Sequence, residues 1–363
     1  MRLADWSTHP IYLPHPRHIQ WGSTDEDGAE YLLLRLVADD GLVGVAEAGT
    51  KVAWHSVNAR ALAVIIEELF IPLIRDLDLL DERAVARALS RVREQRVARA
   101  VVESACWDLR SQARGVPLWQ MLGGDAEVPV SWTVTRQLPE AMAREAATMV
   151  DRHGFRTLKV KGGQGREVDR RALAEVRAAV GPDVALMVDA NRAYAEAEAL
   201  DYVRELADLG VTHAEDPCQL RPTQAFVELQ DACPIPLLVD NGCDSLADAA
   251  LFLERGARAI GVKVSRAGVA ESQQIAAAAH EQHSAAHMGF IGETSLGALV
   301  ALQVASALPT RAYSLPAETT FFLTFDEEYV AERVRVEDGR VRLPEQPGLA
   351  RWVDWERLAA FAP

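Results

Sequence analysis

Three short apolar runs in the middle of this 363-residue chain each end on an acidic residue: Leu186-Met187-Val188-Asp189, Val211-Thr212-His213-Ala214-Glu215 and Leu237-Leu238-Val239-Asp240. The acids recur about every twenty-five residues, roughly one strand-plus-helix unit of an eightfold barrel of about 250 residues. If the runs are consecutive parallel strands, three carboxylates meet at one end of that barrel, and oxygen ligands suit a hard divalent cation. Just upstream, Thr157-Leu158-Lys159-Val160-Lys161 sets two lysines on one strand face at period two, beside the acids. Lysines are seldom buried without a partner. A solvated strand face is the bland reading of the pair, and helix capping past a strand end is the bland reading of a single acid. Three acids in succession next to two lysines are poorly explained by either.

The elements that must position these groups follow from periodicity. The runs Tyr31-Leu32-Leu33-Leu34-Arg35-Leu36-Val37 and Leu42-Val43-Gly44-Val45-Ala46-Glu47, joined at Asp39-Asp40-Gly41, predict a hairpin. Helical stretches follow over 59–69, 84–93 and 98–113, the last with Val101, Val102, Ala105 and Leu109 at helical spacing. Residues 1–125 are therefore expected to form a small α+β domain, left through the Gly123-Gly124 linker. Beyond it, apolar runs at 128–134, 157–161, 185–189, 212–215, 236–240, 259–264, 284–288 and 313–315 alternate with helical stretches. Eight such runs predict an α/β fold with a (β/α)8-type barrel over 126–325, capped by the N-terminal α+β domain. The strand-like runs 333–336 and 340–343 around Asp338-Gly339 predict that the segment 326–363 folds back over the capping domain.

Composition excludes several classes of function. A formal net charge of -15 argues against nucleic acid or an anionic membrane as partner. The first residues lack the basic start and apolar core of a signal peptide, no apolar run reaches the length of a membrane span, and the four cysteines form no CxxC pair. A cytoplasmic protein is expected.

Together, Lys159-Val160-Lys161, Asp189-Ala190-Asn191, Glu215-Asp216-Pro217, Asp240 and Gly261-Val262-Lys263-Val264-Ser265-Arg266-Ala267-Gly268 resemble the enolase superfamily, in its muconate-lactonizing-enzyme subgroup of the mandelate racemase/muconate lactonizing enzyme family. The resemblance extends to Asp39-Asp40-Gly41-Leu42-Val43-Gly44 near the start. It implies that Asp189, Glu215 and Asp240 hold Mg2+, with Mn2+ as a substitute, and that Lys161 and Lys263 stand on opposite faces of a small carboxylate substrate with Lys159 in support. It also implies a homo-oligomer, dimer or octamer. The chemistry is coherent: a proton α to a carboxylate is too weak an acid unless a cation stabilises the enediolate as it forms. A lysine base needs a lowered pKa, which a neighbouring ammonium and the metal provide.

The chain departs from the family pattern in two places. Asn241 follows Asp240 where Glu is usual, which alters the surroundings of the metal and of Lys263, with Asp244 as a weak substitute ligand. His287 ends the seventh run, but Lys263 occupies the position of the Asp partner that a His–Asp mechanism needs. The expected substrate contacts are Asn191, Trp21, Trp54, His287, Glu293 and Glu318, with specificity loops at 17–23 and 49–55. The leading expectation is a lactone-forming, muconate-cycloisomerase-like isomerase with a Lys/Lys pair. Alternatives are a racemase or epimerase of an amino-acid derivative, an acid dehydratase, and a barrel that only binds a ligand. A phosphate-cradling turn at Lys161-Gly162-Gly163-Gln164-Gly165 is a rival that matches neither the dinucleotide nor the P-loop spacing.

Overall fold

A computed structural model of the chain describes residues 1–22, 24–308 and 315–363. Strands β1 (Leu3–Gln20), β2 (Asp25–Ala38) and β3 (Val43–Thr50) form an antiparallel sheet in that order. The predicted hairpin is β2–β3, closed by the pairing of Val37 with Val43. Its continuous apolar run is explained by burial on both faces of β2. Leu32, Leu34 and Leu36 pack with Ala105 and Leu109 of the helix Arg96–Arg114, while Tyr31 and Leu33 join the core shared with the barrel. Each leucine so buried contributes about 1.5–3 kcal/mol. The long strand β1 was not expected from its prolines at 10, 14 and 16; as an edge strand it tolerates them, and its register slips between Pro14 and Ile19.

The α/β barrel is present. After β4 (Glu127–Pro129), strands β5 (Trp132–Val134), β6 (Thr157–Lys161), β7 (Ala185–Asp189), β8 (Val211–Glu215), β9 (Leu237–Val239), β10 (Ala259–Val262) and β11 (Ala285–Met288) form a parallel sheet in chain order. Helices lie between them, from Pro139–His153 through Val264–Glu281, and Ser295–Ser306 follows β11. Of the eighth run, residues 313 and 314 lie outside the described residues. Leu315 bridges His287 and Ala317 bridges Val130, both in parallel sense, which links the last strand back towards the first.

Two local expectations are corrected. The first run divides into β4 and β5, and β4 pairs antiparallel with β12 (Arg340–Arg342). Residues 333–336 form no strand: Val334 and Val336 bury their side chains without joining a ladder, while the alternate arginines stay exposed. In the tail, the Leu349 amide donates to Asp108 Oδ1 at 3.0 Å, and the Pro363 carbonyl accepts from Arg60 at 2.8 Å. No helix of the described residues is long and apolar enough to cross a membrane.

Candidate active site

Register brings the charged residues together. Lys161 pairs with Asp189, and Asp189 with Glu215, so three adjacent strands β6, β7 and β8 end level on charged side chains. Asp240 follows β9, and Lys263 follows β10 as the residue before the helix Val264–Glu281. Because side chains alternate along a strand, Lys159 and Lys161 both point into the barrel. Strands β6 and β10 are four apart in the sheet, so in an eightfold closure Lys161 and Lys263 face each other across the barrel mouth. All six residues line one cavity of about 240 Å³, together with Asn191, Trp21 and Trp54.

The hydrogen bonds divide the cavity into two walls. On the first, Lys161 Nζ donates to Asp189 Oδ2 at 2.5 Å and lies 3.4 Å from Asn191 Oδ1. Asn191 adopts a left-handed φ of 48°, which returns its backbone N–H to Asp189 Oδ1 and its amide Nδ2 to Oδ2. Lys159 Nζ lies 2.9 Å from Glu215, 2.6 Å from Glu318 and 3.6 Å from Asp189. On the second wall, Asp240 receives Lys263 Nζ at 2.6 Å on one oxygen and Arg266 at 3.0 Å on the other.

Burial raises the cost of every charge here, and pairing offsets it unevenly. Burial pushes the Asp189 carboxyl up, but the Lys161 and Lys159 charges outweigh it and bring it down to about 2. Asp240 is likewise held far below the carboxylate range, with Lys263 and then Arg266 overcoming burial. Lys159 stays firmly protonated, because Glu215, Glu318 and Asp189 outweigh its burial. Glu215 is the exception: burial, and after it the charge of Asp189, push it well above its ordinary range despite Lys159. A divalent cation beside these oxygens would reverse that penalty, so the all-oxygen set Asp189, Glu215 and Asp240 fits Mg2+.

A tighter donor cluster also exists. One atom each of Glu215, His287 and Glu318 lie within 4.8 Å of one another, all three residues buried. The Lys159 ammonium already sits between the two carboxylates, and an imidazole donor is a poorer match to Mg2+ than to a transition metal. His287 Nε2 is 3.2 Å from Glu318 Oε1, and burial lowers the pKa of the ring. Neither His287 nor Glu318 lines the cavity, although Glu318 holds Lys159 Nζ at 2.6 Å.

With this geometry in hand, known proteins give it a context. The description "Mandelate racemase / muconate lactonizing enzyme, N-terminal domain" matches residues 7–123, and "Enolase C-terminal domain-like" matches residues 141–357. The chain belongs to the mandelate racemase / muconate lactonizing enzyme family. Chloromuconate cycloisomerase of Cupriavidus pinatubonensis is 28% identical over 360 residues, covering 97% of this chain and 96% of that one. The structure of a muconate lactonizing enzyme from Mycobacterium smegmatis, complexed with muconolactone, superimposes with a TM-score of 0.94 at 26% identity and covers all of both chains. A dipeptide epimerase from Enterococcus faecalis, complexed with Mg and the dipeptide L-Leu-L-Tyr, shares the fold at a TM-score of 0.89 and 24% identity, over 96% of this chain and 99% of that one. With cycloisomerases and epimerases as relatives, the chain is an isomerase of the enolase superfamily.

Within this family member the remaining predicted residues separate. Trp21 is buried against Phe290 and Phe321, and Lys161 Nζ lies 5.9 Å from its ring centre. Trp54 sits half-buried on the one-turn helix Val52–His55, part of the expected second loop. Of the expected first loop, 17–20 is the end of β1, and Ser23 lies outside the described residues. Glu293 is not brought to the cavity: its carboxylate turns back to accept the Ile291 and Gly292 amides at 2.9 and 3.2 Å. Asp244 is half-exposed and pairs with Arg266 at 3.2 Å. Asn241 donates through its backbone N–H and its amide, both at 2.7 Å, to Asp216 Oδ2. The glycine-rich turn does not present free N–H groups, because Gly163 and Gln164 donate to the carboxylate of Asp169 at 2.7 and 3.0 Å.

Two contributors lie in stretches marked in the sequence, Arg266 in the run 261–268 and His55 in the loop 49–55, but neither is singled out there by its type or spacing. Arg266 lies one turn after Lys263, a spacing that invites inspection only once Lys263 is singled out. His55 lines the cavity; burial first, then the charges of Lys263 and Arg266, bring it down to about 4, so the ring is neutral. The Lys51 amide donates to its Nδ1 at 3.3 Å, which leaves Nε2 to carry the proton.

Proposed function

We propose that this isomerase is Mg2+-dependent and acts at the carbon α to a carboxylate, with muconate-type cycloisomerisation as the leading reaction. The observation that carries this reading is the single cavity in which Lys161 and Lys263 stand on opposite walls with Asp189, Glu215 and Asp240 between them. Those three acids would hold the Mg2+. When bound, the cation sets positive charge against the negative charge that grows on the substrate carboxylate as the α-proton moves.

The chain's own groups do the rest. Lys161 Nζ, held by Asp189 and Asn191, is placed to give or take a proton on one face of the α-carbon. Lys159, fixed by Glu215 and Glu318, remains an ammonium beside it and adds positive charge to that wall. Lys263 serves the other face. Trp21 closes over Lys161 and limits water, and with Trp54 it suits a flat or apolar substrate body. A second reading, racemisation or epimerisation of an amino-acid derivative, is favoured by the presence of lysines on both walls, since inversion needs an acid and a base on opposite faces.

The test is an NMR and mass assay in D2O with Mg2+ on cis,cis-muconate, N-acyl amino acids, dipeptides, proline derivatives and acid sugars. Lactone formed from muconate supports the leading reaction; α-deuterium with inversion moves the chain to the racemases. No turnover and no exchange across all of them, with Mg2+ bound, would contradict the reading.

A further inference from the structure

Arg136 lies two residues beyond β5, is 8% exposed, and takes no part in the chemistry above. Its guanidinium bonds run to backbone carbonyls. Nε donates to Gly162 at 2.7 Å, Nη2 reaches Ala190 at 3.5 Å, and Nη1 donates to Gly22. Each carbonyl adjoins a residue of the cavity: Gly162 follows Lys161, Ala190 lies between Asp189 and Asn191, and Gly22 follows Trp21. The Arg136 amide also donates to the Gln20 carbonyl at 3.2 Å, joining the end of β1 to the end of β5. Trp21 and Gly22 form a lid segment over Lys161, and it is seated closely, since a Cβ on Gly22 would stand 2.6 Å from Asn191 Cβ.

A planar guanidinium offers donors in a fixed fork and can reach three acceptors at once; an ammonium cannot match that geometry. We propose that Arg136 is a positioning residue that registers the lid segment carrying Trp21 against the strand ends carrying Lys161 and Asp189. The kinetic consequence rests on the proposed function, because it supposes a substrate enclosed between that lid and those strands. The structural consequence does not: without the fork, Trp21 loses its fixed seat over Lys161.

The experiment compares R136M and R136K with the parent by acrylamide quenching of tryptophan fluorescence, using W21F and W21F/R136M to isolate the contribution of Trp21. In R136M the quenching is expected to increase, by an increment missing from the W21F/R136M pair, while the Mg2+-induced rise in melting temperature persists. On whichever carboxylate the parent turns over, KM is expected to rise and kcat/KM to fall by about 100-fold, the scale of a misplacement of about 1 Å. R136K, with one donor point, should fall between the two. A purely structural role would lower the folded fraction and the apparent kcat with KM unchanged. If R136M does not fold, R136K carries the test, because it keeps the positive charge and removes the three-acceptor fork. Quenching equal to the parent in these variants, or loss of kcat with no change in KM, would overturn the proposal. If the parent turns over none of the substrates, the function fails on its own and the Trp21 quenching still decides the role of Arg136.

Discussion

The two walls of the cavity reach the same arrangement, a lysine on a buried carboxylate, by different construction. The Lys161 wall is built inside the barrel. Lys159 and Lys161 come from one strand, and their partners Asp189 and Glu215 sit in register on the next two. The Lys263 wall stands where a strand passes into a helix, and its second cation, Arg266, lies on the first turn of Val264–Glu281, before the kink at Gly268. That helix is braced from the capping side. The Ala270 amide donates to Glu103 of the helix Arg96–Arg114 at 3.0 Å, and Arg99 from the same helix lies 3.4 Å from Glu271. One wall therefore depends on sheet register, the other on how the N-terminal part seats against the barrel, and the two should respond separately to substitution.

The largest effect should come from a change that strikes the Lys161 wall and the proposed metal site together. Asp189→Asn removes the carboxylate that Lys161 holds and one of the three proposed Mg2+ donors. It should lower kcat/KM by about 100- to 1,000-fold and abolish the Mg2+-induced rise in melting temperature. A melt with and without Mg2+ checks it, and a full rise in that variant would remove Asp189 from the metal site. Glu103→Ala is narrower. It should loosen the Lys263 wall alone, reducing turnover by about 10- to 100-fold as outer partners of such sites do, while α-proton exchange on the Lys161 face continues. Deuterium incorporation resolved by substrate enantiomer would separate the faces, and equal loss on both would refute the division.

A buried acid with no lysine gives the smallest and most diagnostic contrast. Glu47 accepts bonds from Thr294 and Tyr329, and burial, opposed by those bonds, raises its pKa to about 7 from 4.5. Its folded form therefore keeps a proton that the unfolded chain loses first. Its contribution to stability is full below about pH 4.5 and is lost as pH rises through about 7, the reverse of the paired Asp189. Urea denaturation between pH 5 and 8 should show that slope in the parent and a flatter one in Glu47→Gln; identical slopes would mean that Glu47 is ionised in the fold.

Legibility in the sequence follows the same contrast. The first wall could be read because strands repeat at period two and barrel units at about twenty-five residues, so Lys159, Lys161, Asp189 and Glu215 fall at spacings a linear reading can find. Arg136 could not, since its acceptor at Gly22 is 114 residues away and is a carbonyl, which every residue possesses. Glu103 was hidden for a similar reason, its acceptor role depending on a helix 167 positions later. Glu293 shows the opposite limit: position placed it after the seventh strand, but the direction of its side chain was decided by nearby amides. The prolines of β1 concealed a strand, because only its place at the sheet edge makes them acceptable.

The most direct test of the central claim is α-proton exchange in Lys161→Ala, followed by NMR in D2O with Mg2+ on a carboxylate that the parent exchanges. Exchange on the Lys161 face is expected to disappear while the Mg2+-induced stabilisation remains. Exchange at the parent rate in that variant, with the metal still bound, would contradict that claim.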